Sequence, residues 1–88
     1  MLADTIERIR QMERHFDMLQ NTAPHALRGD PSLQTALRTL IQYYENGQWL
    51  KDYQLDEQGL LPQGLKRGVL SQDALYDLLE RTCPFVET

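Results

Sequence analysis

Apolar side chains recur every three or four positions in the first part of the chain, which is the spacing of one face of an α-helix. The stripe consists of Leu2, Ile6, Ile9, Met12, Phe16 and Leu19. Asp4 followed by Glu7 resembles a capping box, which predicts that the helix begins near residue 5. We also expect Asp4 to pair with Arg8 one turn later. The pattern predicts a first helix at about residues 4–20.

A second stripe predicts another amphipathic helix at about residues 31–46. Its members are Leu33, Leu37, Leu40, Ile41 and Tyr44. Asp30 before Pro31 is typical of a helix start, because Asp accepts hydrogen bonds from free backbone N–H groups and Pro suits the first turn. Gly47 is suited to the left-handed conformation that follows many helices. Residues 21–30 form the connector, so the two helices are expected to make an antiparallel hairpin.

Two shorter helices are predicted in the second half of the chain. Apolar spacing around Trp49 predicts one at about residues 48–57. Ser71, as an N-cap, and the leucines after it predict the other at about residues 72–82. The segment between them, residues 59–71, is a glycine- and proline-containing loop with room for a short turn. The sequence therefore predicts an all-α fold in which two shorter helices pack on a helical hairpin.

Length and composition fit one small helical domain covering residues 1–88. Hydrophobic residues make up 41% of the chain and charged residues 25%, which is typical of a folded protein. The net charge of −4 argues against nucleic-acid binding, which needs a basic surface to neutralise phosphates. No apolar run is long enough to span a membrane, and the first residues lack the pattern of a secretory signal. We therefore expect a cytoplasmic protein that binds neither nucleic acid nor membrane.

A set of spaced motifs occupies the second half of the chain. From Tyr43 to Leu79 it reads YYENGQWLKDYQLDEQGLLPQGLKRGVLSQDALYDLL. The W-x-x-D-Y, D-E-x-G-x-L-P, L-K-R-G-V-L-S and D-x-x-Y-x-L-L stretches resemble the signature of a small bacterial family, domain of unknown function 4298 (DUF4298). The letters IERI at residues 6–9 resemble the beginning of that family. The resemblance implies a helical fold in a bacterial protein and no established activity.

Four aspartates in this half are spaced one helical turn apart in two pairs. They are Asp52 with Asp56 and Asp73 with Asp77. Lys66 and Arg67 lie between the two pairs in sequence, and Arg is suited to bidentate pairing with a carboxylate. We therefore predict a structural salt-bridge network that holds the 59–71 loop. The alternative is a divalent cation bound by carboxylates, but the ligand count and loop geometry of such sites are missing, so no metal or cofactor is predicted.

The candidate residues for binding a protein partner are Trp49, Lys66, Arg67 and Tyr76. Trp, Tyr and Arg are the residue types that dominate the binding energy of protein interfaces. Core packing is the competing explanation for the two aromatic residues. We predict a non-catalytic interaction module that binds an unidentified protein partner through the surface formed by residues 49–76.

Catalysis is not predicted, because His15, His25 and Cys83 lie in no motif that supplies a nucleophile, a base and an orienting group. Two alternative functions remain open. One is an enzymatic or metal-dependent accessory protein that uses Asp52, Asp56 and Asp73. The other is a structural subunit that forms a homo-oligomer through its amphipathic hairpin. The residues expected at the interface of that homo-oligomer are Ile9, Phe16 and Leu37.

Overall fold

The computed structural model describes residues 2–86, and this range contains four α-helices and no β-strand. The α-helices are α1 (Leu2–Gln20), α2 (Pro31–Glu45), α3 (Gln48–Glu57) and α4 (Gln72–Thr82). Short 3-10 helices occupy Pro24–Leu27, Gly68–Leu70 and Cys83–Phe85. The predicted all-α fold and its four α-helices are confirmed. None of the helices in this range is long and apolar enough to cross a membrane.

The second hairpin helix, α2, begins and ends where its local chemistry predicts. The backbone N–H of Leu33 donates to the Asp30 carboxylate at 3.1 Å, which confirms Asp30 as the N-cap of α2, with Pro31 in the first turn. Gly47 follows the end of α2 with a φ of 89°, a left-handed conformation that costs little only for glycine. The same glycine precedes α3, so the chain turns from one helix into the next within two residues.

Two local predictions for α1 are wrong, and the predicted cap of α4 is confirmed in position but not in its side-chain hydrogen bond. α1 begins at Leu2, so Asp4 lies inside the first turn, where its charge suits the helix dipole, and is not the capping residue. Arg8 pairs with Asp52 on α3, because that carboxylate is buried and offers both oxygens. Ser71 occupies the N-cap position of α4, but its side chain makes no capping hydrogen bond. Its backbone carbonyl accepts the first helical bond instead.

The core lies where all four helices and the connecting segments meet. The 3-10 helix between α1 and α2 contributes Leu27, which is fully buried. The main core side chains are Ile9, Phe16, Leu19, Leu27, Leu33, Ala36, Leu37, Leu40, Tyr43, Trp49, Leu61, Leu65, Val69, Leu70, Leu75 and Leu78. This set includes all three side chains expected at the interface of a homo-oligomer, so in this chain they contact the protein's own core.

The end of the 59–71 loop is fixed to the helices through the backbone of Val69. Its N–H donates to a carboxylate oxygen of Glu13 on α1 at 2.8 Å. Its carbonyl accepts from the Trp49 indole N–H on α3 at 2.9 Å. Both backbone groups are thus paired although Val69 is fully buried, as a buried peptide unit requires. The preceding residue, Gly68, brings the chain close enough to α1 for these bonds to form.

Replacing Gly68 with alanine tests this close approach. A β-carbon at position 68 would lie 3.1 Å from Glu13 Oε2 and 3.3 Å from Phe16 Cε2, and both of these side chains are buried. We expect Gly68→Ala to lower the free energy of unfolding by about 1 to 2 kcal/mol, measured by urea denaturation.

Gly64→Ala is the matched control. A β-carbon at position 64 would meet nothing within 4 Å, and the φ of Gly64 is not positive. The stability should therefore be unchanged or slightly raised. An equal loss in the two variants would contradict the close approach of Gly68 to α1.

Candidate functional site

A buried carboxylate connects three of the four α-helices. Asp52 on α3 has no solvent exposure. Arg8 on α1 binds it with two parallel hydrogen bonds, Nε to Oδ2 at 3.0 Å and Nη2 to Oδ1 at 2.6 Å. The Tyr43 hydroxyl on α2 donates to Oδ2 at 2.6 Å. The charge of Asp52 is thus matched by a bidentate arginine, the arrangement that makes a buried ion pair tolerable.

The surroundings of Asp52 hold its partners in one protonation state. Burial raises the pKa of Tyr43 far above its ordinary value, and the hydrogen bond to Asp52 raises this pKa further. The hydrogen bond to Asp52 also raises the pKa of Arg8, against the opposing effect of burial. Tyr43 therefore stays a neutral donor and Arg8 stays a cation at ordinary pH. The group as a whole is suited to holding helices together.

The same contacts bear on the metal alternative. Asp52 accepts from Arg8 and Tyr43, and it has no surface through which a cation could reach it from solvent. Within residues 2–86, no group of three or more His, Cys, Asp or Glu side chains is arranged to hold a metal ion.

Arg67 folds the loop that precedes it. Its Nη1 pairs with the carboxylate of Asp56 on α3, and its Nη2 donates to the carbonyl of Pro62. Its Nε donates to the carbonyl of Leu65 at 3.3 Å. One guanidinium therefore joins the end of α3 to two carbonyls of the loop. Because all three nitrogens of the guanidinium are used, Arg67 has a structural role that a lysine could not fill.

The four predicted network aspartates lie in separate interactions. Asp52 pairs with Arg8, Asp56 with Arg67, and Asp77 with Arg81. The third of these joins neighbouring turns of α4 on an exposed surface. Asp73 is exposed and makes no ion pair within the described part of the chain. Of the four, Asp56 alone is paired directly to the 59–71 loop.

Trp49 lies in the interior, with 5% of its surface exposed. Its ring stacks on Tyr53 at 5.0 Å between centroids and meets Tyr44 at 5.3 Å in a tilted arrangement. Its indole N–H donates a hydrogen bond to the carbonyl of Val69. Trp49 therefore packs in the core and joins α3 to the 59–71 loop, and too little of its side chain is exposed to contact a partner.

The two remaining candidates, Lys66 and Tyr76, are exposed, and they line different cavities. The structure therefore does not bring the four candidate binding residues together on one open surface. Lys66 faces α1, whereas Tyr76 lies on α4 with 59% of its surface exposed.

Tyr76 lines a groove between α2 and the end of α4, which we call the α2–α4 groove. Its volume is about 530 Å³. The lining residues are Ile41, Tyr44, Glu45, Tyr76, Leu79, Glu80, Cys83 and Pro84. Most of this wall is apolar, and the charged side chains on it are the two glutamates. Sequence reasoning selected Tyr76 but missed the groove, because nothing local places Ile41 and Tyr44 opposite α4.

A neighbouring hollow of about 640 Å³ extends the apolar surface past Ile41 and Cys83, which line both spaces. Arg38 and Val86 lie on its wall. Cys83 is an exposed free thiol at the junction. Together the two spaces form a long surface that no part of residues 2–86 covers.

Comparison with known proteins places the chain in a family. The model of the family described as Domain of unknown function (DUF4298) matches residues 6–87 of the 88 residues. The chain belongs to this family. The match confirms the resemblance given by the DUF4298 motifs, and this family carries no assigned activity. No curated protein and no solved structure matches the chain.

The structure of this DUF4298 chain gives physical roles to its motifs. In W-x-x-D-Y, Trp49 and Asp52 are the buried contacts of α3 with the loop and with α1. In L-K-R-G-V-L-S, Arg67 organises the loop and Gly68 permits its approach to α1. Lys66 in the same motif has no such internal role within the described residues.

Removing the buried carboxylate should be strongly destabilising. Asp52→Ala leaves the Arg8 guanidinium and the Tyr43 hydroxyl without their acceptor, and we expect a loss of about 3 kcal/mol or more in the free energy of unfolding. Urea denaturation followed by circular dichroism measures it. Asp73→Ala, which removes an exposed aspartate, should change stability by less than about 0.5 kcal/mol. Comparable losses in the two variants would contradict the structural role of Asp52.

The raised pKa of Tyr43 predicts a loss of stability in alkali. In the unfolded chain Tyr43 ionises near its ordinary pKa of about 10, whereas the folded chain keeps the proton. Above this pH, deprotonation therefore favours the unfolded state. We expect the stability advantage of the wild type over Tyr43→Phe to be constant below about pH 9 and to shrink by about 1.4 kcal/mol per pH unit above about pH 10. A constant difference through pH 11 would contradict this.

Proposed function

We propose that this DUF4298 protein is a non-catalytic interaction module that binds an amphipathic, positively charged helix of a partner protein in the α2–α4 groove. The observation that supports the proposal is an exposed apolar groove whose charged wall residues are both acidic. The bacterial, cytoplasmic setting given by the sequence stays a prediction.

The shape and chemistry of the groove favour a helical segment as its occupant. Two helices form its walls, and an amphipathic helix places apolar side chains into such a groove at every third or fourth position. Tyr76 is a large, exposed aromatic on this wall, the residue type that most often carries binding energy. Leu79 and Pro84 continue the apolar wall beside it.

The charge around the groove favours a basic partner. Glu45 and Glu80 belong to different helices, and both line the groove. No lysine or arginine lies among the groove's lining residues, and the whole chain carries a net charge of −4. Acidic walls attract lysine or arginine side chains on the flanks of a bound helix and disfavour a helix with acidic flanks. This charge preference orients the bound helix and selects basic partners.

This proposal keeps Tyr76 from the candidate binding residues predicted from the sequence, but it places the binding surface on other helices than the predicted surface of residues 49–76. Tyr76 is exposed and belongs to the groove. Trp49 and Arg67 have internal partners, so their contribution would be to keep α3 and the loop in place. The proposed surface therefore lies on α2 and α4, and among its lining residues Tyr76 alone belongs to residues 49–76.

A model peptide tests the proposal without knowledge of the natural partner. The probe is a fluorescein-labelled amphipathic peptide of Leu and Lys at helical spacing, and its counterpart carries Glu in place of Lys. We expect the Leu–Lys peptide to bind the wild type and the Leu–Glu peptide not to bind, as measured by fluorescence anisotropy. Tyr76→Ala should weaken binding of the Leu–Lys peptide about tenfold or more.

Leu60→Ala is the matched control, since Leu60 is 50% exposed and lies outside the groove lining. This variant should bind the Leu–Lys peptide like the wild type. Glu80→Lys should weaken binding of the same peptide, because it reverses one charge on the groove wall. Equal affinities for the wild type, Tyr76→Ala and Leu60→Ala would overturn the proposed groove, and so would equal binding of the two peptides.

A further inference from the structure

A second cavity, of about 320 Å³, lies between α1 and the 59–71 loop and gathers basic side chains. Its lining residues are Arg10, Glu13, Arg14, Asp17, Gly64, Leu65 and Lys66. Arg10 and Arg14 are one turn apart on α1, and the loop brings Lys66 to them from more than fifty positions later in the sequence. Their meeting is a product of the fold, since Lys66 is far from both arginines in the sequence.

Within the described residues, no salt bridge neutralises any of these three cations. Each is exposed, and none of them forms an ion pair within 4.0 Å in the range 2–86. Of the two acidic residues that share the cavity, Glu13 is buried and holds the backbone N–H of Val69. Asp17 is then the one exposed carboxylate among the lining residues.

The position of Lys66 is imposed by its neighbours. Leu65 is buried at 7% exposure, and Arg67 is held by Asp56 and by two carbonyls of the loop. Because both flanking residues are fixed, the backbone of Lys66 is held beside α1. The three cations repel each other, and the two carboxylates that share the cavity offset this repulsion only in part.

We infer that this cavity binds a phosphate group. Arginine forks match the oxygens of a phosphate with paired hydrogen bonds, and a lysine adds a point charge. A doubly negative phosphate offsets the repulsion among three cations better than a single carboxylate does. Free phosphate and the phosphomonoester of a small molecule share this chemistry. The site is independent of the α2–α4 groove, since the two have no lining residue in common.

Thermal unfolding of the whole chain tests the inference. The protein is melted at pH 8, where phosphate is mainly a dianion, in sodium chloride, in inorganic phosphate and in glycerol 3-phosphate at matched ionic strength. We expect at least one of the phosphates to raise Tm by about 4 °C or more over chloride. A shift with inorganic phosphate means that the free ion is enough, and a shift with glycerol 3-phosphate alone means that the site needs an ester carrier.

The variants Arg14→Gln and Lys66→Gln should lose the phosphate-dependent shift. Lys51→Gln, which removes the other lysine of the chain, should keep it. In chloride, Arg14→Gln and Lys66→Gln should melt no lower than the wild type, because removing one of several like charges relieves repulsion. A structural role for these residues would instead lower Tm in chloride.

Two results would overturn the phosphate site. One is the absence of any shift with either phosphate. The other is a shift of the same size in Lys66→Gln as in Lys51→Gln, which would show a general salt effect on the protein.

Discussion

A carboxylate that has no contact with water must have its charge matched inside the protein, and the fold depends on how Asp52 meets this constraint. Its partners are Arg8 on α1 and Tyr43 on α2, while Asp52 itself lies on α3. A shift of any of these helices would leave a buried charge or a buried hydroxyl unpaired, at a cost of several kcal/mol. The relative placement of three helices is therefore fixed by one polar group, and the apolar core fills the space around it.

Two conspicuous residues of the family motifs in the second half of the chain also make contacts within the protein. Trp49 ties α3 to the backbone of Val69, and Arg67 folds the preceding loop onto the end of α3. With these side chains committed to the fold, the surfaces that we propose for other molecules are the α2–α4 groove and the basic cavity beside Lys66. They differ in chemistry, since one is apolar with acidic residues and the other is rich in arginine and lysine. The two proposed surfaces are separate, since they share no lining residue.

The parts of the structure that sequence could predict are those that neighbouring residues decide. Asp30 and Gly47 mark helix boundaries through backbone conformation and capping, and both act within a few residues of themselves. Arg8 shows the limit: it has Asp4 one turn away, yet it binds Asp52, 44 residues later, because burial strengthens that pair. The approach of Lys66 to α1 likewise depends on tertiary packing. Tyr76 could be selected from its residue type, but the groove beside it could not.

The most direct test of the structural role of Asp52 is a double-mutant cycle with Arg8→Gln and Asp52→Asn, in which stability is measured by urea denaturation. The exposed pair Arg81 and Asp77, treated in the same way, is the reference. We predict a coupling free energy of about 2 kcal/mol for the buried pair and about 0.5 kcal/mol or less for the exposed one. A coupling near zero between Arg8 and Asp52 would contradict the claim that this carboxylate holds the helices together.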